Sequence, residues 1–205
     1  EQYPDNIANV IVGNETLLRA DLNEDELFAY IDFVAEFTNK PITCAETWDV
    51  WERIPTLANH VDFITIHILP YWEKVPIERF NDFIIEKYSV VEKLFPFKKI
   101  NIGETGWPSH GYNNNNAVPS LKNQAVAIRG FINLASEKGW DYNIVEAFDQ
   151  QWKGYDEGNV GQYWGIFSSN RSLKFSLSGD IELNQYWLYQ MIAAIIIGAL
   201  LTLYG

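Results

Sequence analysis

The chain has 205 residues, with 15 Lys and Arg against 27 Asp and Glu, a formal net charge of −12. That length holds one domain or little more. The acidity, with no cluster of Lys and Arg, excludes a nucleic-acid binder, because phosphate recognition requires clustered cations. A single cysteine, Cys44, excludes an internal disulfide framework. The three histidines, His60, His67 and His110, are scattered with no His-x-x-x-His pair, so neither a metal nor another cofactor is expected. Aromatic residues make up 15% of the chain, eight of them Trp, which points to an aromatic core or a stacking surface.

Short apolar runs alternate with longer helical patterns. Residues 7–12 (IANVIV) read as a strand. Asn23 with Glu26 three residues later forms a capping-box start. Leu27, Ile31, Val34 and Ala35 continue at helical spacing to about Thr38. Residues 41–45 (PITCA) are a second strand, residues 48–59 a short helix and residues 61–68 (VDFITIHI) a third strand. Phe80, Ile84, Tyr88, Val91 and Leu94 mark a long amphipathic helix. Residues 99–103 (KINIG) are a fourth strand. A further helix carries Leu121, Ala125, Ile128, Ile132 and Ala135, with Ser120 as its cap and Gly139 as its stop. Residues 142–148 (YNIVEAF) are a fifth strand, and residues 162–175 a short hairpin or excursion.

Residues 183–205 carry no charge, so all the charges lie in residues 1–182. The apolar part, residues 186–204, has about the length that crosses a ~30 Å hydrocarbon core. Tyr186, Trp187 and Tyr189 stand at one end and Tyr204 at the other, as interfacial aromatics do. A transmembrane helix contacting membrane lipid is expected there, with a buried core helix as the alternative. The chain thus divides into residues 1–182 and residues 183–205.

The order strand, helix, strand, helix predicts an α/β fold with a parallel sheet. Five strands in about 180 residues fall short of the eight units and roughly 250 residues of a closed barrel. No Gly-rich phosphate loop follows a strand, which disfavours a nucleotide-binding sheet. Carboxylates and Trp recur just past the strands, at Glu15, Glu46 with Trp48, Glu104 with Trp107, and Glu146 with Trp152. In α/β barrels that face builds the active site. Two carboxylates there suit glycoside hydrolysis, one as proton donor and one as nucleophile or base. Aromatic faces would stack on sugar rings, and Asn, Gln and Lys would read hydroxyls.

Val12-Gly13-Asn14-Glu15 and residues 102–109 (IGETGWPS) together resemble glycoside hydrolase family 17, the β-1,3-glucanase family. Residues 13–19 (GNETLLR), 43–51 (TCAETWDVW), 67–73 (HILPYWE), 123–125 (NQA), 146–153 (EAFDQQWK) and 163–167 (YWGIF) are similar to its bacterial branch. In that branch the domain is often joined to membrane helices and a glycosyltransferase. The resemblance covers about residues 7–175. It implies that the five strands are the fourth to eighth of a (β/α)8 TIM barrel, with roughly a hundred residues of barrel not in this chain. Such an arc would leave an open edge and a half-covered core.

The resemblance assigns Glu15 as acid/base, with a raised pKa, and Glu104 as an ionised nucleophile. It assigns Asn14 to the sugar 2-hydroxyl. His67 and Tyr71 are candidates to hold Glu104 or to bind substrate. Trp48, Trp51, Trp72, Trp107 and Trp152 are candidate platforms, with Trp48 and Trp107 favoured. Glu46 could bond sugar or pair with Lys153, and Glu146, Gln150 and Lys153 complete the expected substrate contacts. Plant enzymes of the family carry Glu where Gln150 and Gly161 stand here, and Glu146, Asp149 and Glu157 are the candidates to substitute. The expected function is a retaining β-glucan-active glycosidase or transglycosylase, membrane-anchored and extracytoplasmic. The alternatives are a non-catalytic carbohydrate-binding module and an accessory module of a membrane polysaccharide synthase.

Overall fold

The computed structural model describes residues 4–180 and 186–204. Five parallel strands, β1 (Val10–Asn14), β2 (Ile42–Thr47), β3 (Ile64–His67), β4 (Ile100–Thr105) and β5 (Asp141–Ile144), pair in the spatial order of the sequence. The order never reverses. A doubly wound sheet reverses at its switch point, whereas an unbroken progression is what a barrel wall requires.

Helices α1 (Glu24–Ala35), α2 (Trp48–Arg53), α3 (Phe80–Leu94) and α4 (Leu121–Lys138) fill the crossovers. The Asn23 side chain accepts from Glu26 N at 3.0 Å and Glu26 returns the bond to Asn23 N at 2.9 Å, which starts α1 as its sequence predicts. Ser120 caps α4 through Asn123 N at 3.0 Å. Gly139 ends α4 at φ +66°, a left-handed position that glycine adopts without a Cβ penalty. The helix expected over residues 48–59 is split. Ile54, pushed out of helical geometry at φ −123° and ψ 66°, precedes Pro55, and a 3-10 turn Pro55–Asn59 follows.

One face of the sheet is buried beneath the helices. Ile42, Cys44, Ile64, Ile66, Ile100 and Ile102 pack there against Leu27, Ile31, Trp51, Ile84, Val91 and Phe131. The other face is the inside of the arc. Thr43 and Thr65 bond to each other across it at 3.0 Å. Ile11 on β1 remains 51% exposed. With Asn101 and Asn143 it lines an open hollow of about 760 Å³ toward the strand N-termini.

Residues 142–148 do not form one long strand. β5 stops at Ile144, and residues 146–149 instead exchange backbone bonds with 164–167, including Ile166 N to Glu146 O and Asp149 N to Phe167 O, both at 2.9 Å. The hairpin or excursion expected over residues 162–175 begins in the 3-10 turn Asn159–Tyr163 and then doubles back in a short antiparallel hairpin, where Phe167 pairs with Leu173 and Ser168 N bonds Ser172 O at 2.9 Å.

The expected membrane span is also corrected. The last helix, α5, runs Trp187–Tyr204, 18 residues. At 1.5 Å per residue that is about 27 Å, short of a ~30 Å hydrocarbon core. No helix among the described residues is long and apolar enough to cross a membrane. Residues 183–185 and 205 of the expected segment lie outside the described residues. Residues 186–203 are exposed, so α5 is not a buried core helix either.

Candidate active site

A cleft of about 640 Å³ opens at the C-terminal ends of the strands. Every strand contributes to it: Glu15 after β1, Thr47 of β2, His67 of β3, Glu104 of β4 and Val145 after β5. The pairing register slips at these same ends, between Ile11 and Asn14, Ile66 and His67, and Ile102 and Thr105. Such irregularities re-aim side chains. Gly103 is required by close approach, since a Cβ there would lie 2.5 Å from Thr65 Cγ2 and 2.9 Å from His67 Cδ2. Its absence lets the His67 ring lie against β4.

The two carboxylates face one imidazole. His67 Nδ1 lies 3.0 Å from Glu15 Oε1 and 4.0 Å from Glu104 Oε2, and the His67 side chain is 1% exposed. The hydrogen bond from His67 holds the Glu15 pKa below the usual carboxylate value; burial opposes it, and the charges of His67 and Arg19 add to it. Burial pushes the Glu104 pKa up, against the charges of His67 and Lys153 and with those of Glu15 and Glu146. This reverses the order expected from sequence. Side-chain surroundings set these values, and the expected proton donor is the group that received the imidazole.

The cleft walls are aromatic. Trp72 and Trp164 stack with ring centroids 5.9 Å apart and planes at 26°. Trp48 faces the cleft with Lys87 Nζ 4.2 Å over its ring, and its Nε1 donates to Glu73 at 3.2 Å. Trp164 Nε1 and Thr47 Oγ1 are buried and have no protein partner among the described residues. Lys153 enters from the 146–157 segment and bonds Glu146 at 2.7 Å. Burial pulls the Lys153 pKa down, but the bond to Glu146 and the charges of Glu146, Glu157 and Glu104 outweigh it, leaving a net rise.

The profile of the BtgE/BtgC glycoside hydrolase domain matches residues 1–165. This chain belongs to that glycoside hydrolase family. It is 30% identical over 192 residues to the glucan 1,3-beta-glucosidase of Schizosaccharomyces pombe, covering 87% of this chain and 60% of that protein. It is 30% identical over 173 residues to the probable beta-glucosidase btgE of Aspergillus fumigatus, covering 80% of this chain and 30% of that protein. The crystal structure of a glycoside hydrolase family 17 beta-1,3-glucanosyltransferase from Rhizomucor miehei superposes with a TM-score of 0.77 at 26% identity, covering 85% of this chain and 65% of that one. The glycoside hydrolase domain described here thus spans about two-thirds or less of these relatives' lengths.

Of the residues singled out from this glycoside hydrolase sequence, Glu15, Glu104, Trp48, His67 and Lys153 line the cleft, joined by Trp72. Others do not. Tyr71 and Trp107 are fully buried, their polar atoms spent on Tyr112 O at 2.7 Å and Val118 O at 3.1 Å. They are core residues beneath the platform, with ring centroids 5.9 Å apart. Trp51 is likewise fully buried, and Trp152 is 61% exposed outside the cleft lining. Glu46 is fully buried and bonds the backbone of Leu17 and Leu18, so it neither meets sugar nor pairs with Lys153. Asn14 is exposed next to Glu15 but outside the lining, its carbonyl accepting from Arg19 at 2.6 Å. Glu146 and Gln150 bond each other at 2.7 Å and stand behind Lys153 rather than in the cleft.

Among the three candidates to replace the missing carboxylates, Glu157 faces the cleft. Gly161 makes this feasible, because a Cβ there would meet Glu157 Cβ at 2.5 Å. Trp164 and Glu73 are cleft residues that sequence reasoning did not single out individually. The signal for Trp164 is Gln124, fully buried on α4, whose Nε2 donates to Trp164 O and Gly165 O at 3.1 Å.

Asp149 has a structural task. Lys174 Nζ bonds Asp149 Oδ1 at 2.8 Å and Ser109 Oγ at 2.7 Å, and Asp149 also accepts from Gly165 N at 3.0 Å. The pair ties three cleft-forming segments together with side chains 10% and 8% exposed. Removing one partner of a buried pair strands the other, so Lys174→Met is expected to cost about 3–5 kcal/mol in urea unfolding. A loss below about 1 kcal/mol would show that the pair does not hold the loop.

Proposed function

We propose that this domain is a β-1,3-glucan-active retaining glycosidase or transglycosylase. The observation that carries the reading is the pair of carboxylates meeting one buried imidazole nitrogen in an aromatic-walled cleft. The sum of the two distances caps the separation of the facing oxygens and leaves room for the ~5–5.5 Å of retaining enzymes. In this reading Glu104 attacks the anomeric carbon and forms a glycosyl ester while Glu15 protonates the departing oxygen. Glu15 then takes a proton from water or a sugar hydroxyl, which attacks the same carbon and frees Glu104. Trp48 and Trp72 provide stacking faces, with the buried Trp164 packed against Trp72, and Lys153 and Glu157 read hydroxyls. The relatives' glucosidase and glucanosyltransferase names support the substrate class.

The test is mass spectrometry of products from laminari-oligosaccharides incubated with the whole chain. Shorter products mean hydrolysis, and products longer than the substrate mean transfer. Binding without cleavage would overturn the enzyme reading in favour of a carbohydrate-binding module.

His67 sets the pH response. The proton-donor and nucleophile states require a protonated Glu15 and an ionised Glu104, and the apparent pKa values belong to the coupled pair. His67 lowers both carboxyls. His67→Ala is therefore expected to move both limbs of the kcat/KM profile to higher pH. Loss of a hydrogen bond to a charged group, about 1.5–3 kcal/mol, corresponds to roughly a 10–150-fold fall in kcat/KM. A profile that keeps its position would show that His67 does not act on the pair.

We also propose that α5 holds the domain at an extracytoplasmic membrane surface. Its exposed, uncharged side chains, among them Ile195, Ile196 and Leu201, support this reading. Partition of the chain into detergent phase, lost on truncation at residue 182, is the expected result. Equal partition of both forms would refute it.

A further inference from the structure

Glu46 is a fully buried carboxylate that does not itself line the cleft. It stands on β2, beside β1, and reaches across to the turn that follows Glu15. Its Oε1 accepts from Leu17 N at 2.7 Å and its Oε2 from Leu18 N at 3.3 Å. That turn is unusual. Glu15 has φ +53° and Gly13 φ +88°, and left-handed geometry is costly for a residue with a Cβ. The chain closes immediately behind it, with Arg19 N bonding Glu15 O and Asp21 N bonding Thr16 O, both at 2.9 Å. The Leu17 N–H would otherwise be a buried donor without an acceptor, and the part-buried Leu18 N–H is held by the same carboxyl.

We infer that Glu46 is a positioning residue for Glu15: by gripping the backbone two and three residues on, it holds the left-handed turn that aims the Glu15 carboxyl at His67 and the cleft. This rests on the reading of Glu15 as acid/base. It gives a buried acid a task that sugar binding cannot, because no sugar reaches it.

The test compares two substrates on the whole chain. Laminari-oligosaccharides need a proton on the departing oxygen, whereas a 2,4-dinitrophenyl β-glycoside departs without one. Glu46→Leu is expected to lower kcat/KM on the oligosaccharide by about 10²-fold, within the range that general acid catalysis contributes. The dinitrophenyl substrate should change by less than about threefold. Glu46→Gln retains one acceptor oxygen and should recover about tenfold on the oligosaccharide. Equal losses on both substrates would mean Glu46 supports only the fold, and no loss would remove its role; either overturns the inference. If Glu46→Leu does not fold, the same split must appear in Glu46→Gln. Glu15→Ala is the control: if it shows no split, the acid/base reading fails, and the Glu46 inference falls with it.

Discussion

Glu104→Gln is expected to abolish glucan cleavage and, at the same time, to stabilise the protein. On the proposed mechanism it removes the atom that forms the glycosyl ester. A fall of at least about 10⁴-fold in kcat, or about 5.4 kcal/mol of barrier, should follow. The stability gain comes from the raised Glu104 pKa, whose largest cause is burial. A carboxyl whose folded pKa lies above its unfolded value costs stability when ionised, that is, at pH above the folded pKa. Neutral Gln lacks that cost. The gain should be about 0.5–1 kcal/mol at neutral pH, the lower end of what relieving a functional compromise yields, because Glu104 is partly exposed. It should shrink as pH falls below the folded pKa and disappear below the unfolded pKa, where the carboxyl is neutral in both states. Thermal unfolding of both forms at neutral and acid pH measures it. A destabilised Gln variant at neutral pH would show that Glu104 is held by favourable contacts instead.

Glu15→Ala should separate the two chemical steps. Without a proton donor, cleavage of laminari-oligosaccharides is expected to fall by about 10²–10⁴-fold. Formation of the glycosyl-enzyme from a dinitrophenyl substrate should survive, because its leaving group needs no proton. The intermediate then waits for a nucleophile that needs no base. Added azide should therefore accelerate turnover and yield a β-glycosyl azide, identified by NMR. An α-glycosyl azide would place Glu15, rather than Glu104, as the group that had to be bypassed at the nucleophile position. Absence of any azide effect would remove Glu15 from proton transfer.

The alternation of β1 through β5 with α1 through α4 was legible because its signals are local. The Asn23–Glu26 box, the Ser120 cap, the Gly139 stop and the Ile31 and Ile84 periodicities each act within a turn or two. The strand ends were less legible, since where β5 stops depends on its backbone bonding to residues 164–167, which stand far along the chain. The candidate pair Glu15 and Glu104 was visible because both directly follow or end apolar strand runs. The fate of their neighbours was not. Trp48 and Trp107 occupy similar places after strands, yet one lines the cleft and the other is fully buried beneath it.

The amino-acid sequence by itself determined a parallel β/α arc and the placing of two carboxylates and several Trp at one end of it. Strand periodicity and turn chemistry are properties of neighbouring residues, so they survive in one dimension. Only the tertiary structure decided which polar groups share an environment. It bonded His67 to Glu15 and buried Glu104, and so inverted the expected order of their pKa values. It turned Glu46 away from sugar and onto the turn behind Glu15, and it brought Trp164 against Trp72. Desolvation and hydrogen bonding depend on what lies within a few ångströms, and those neighbours come from strands and loops far apart in the chain.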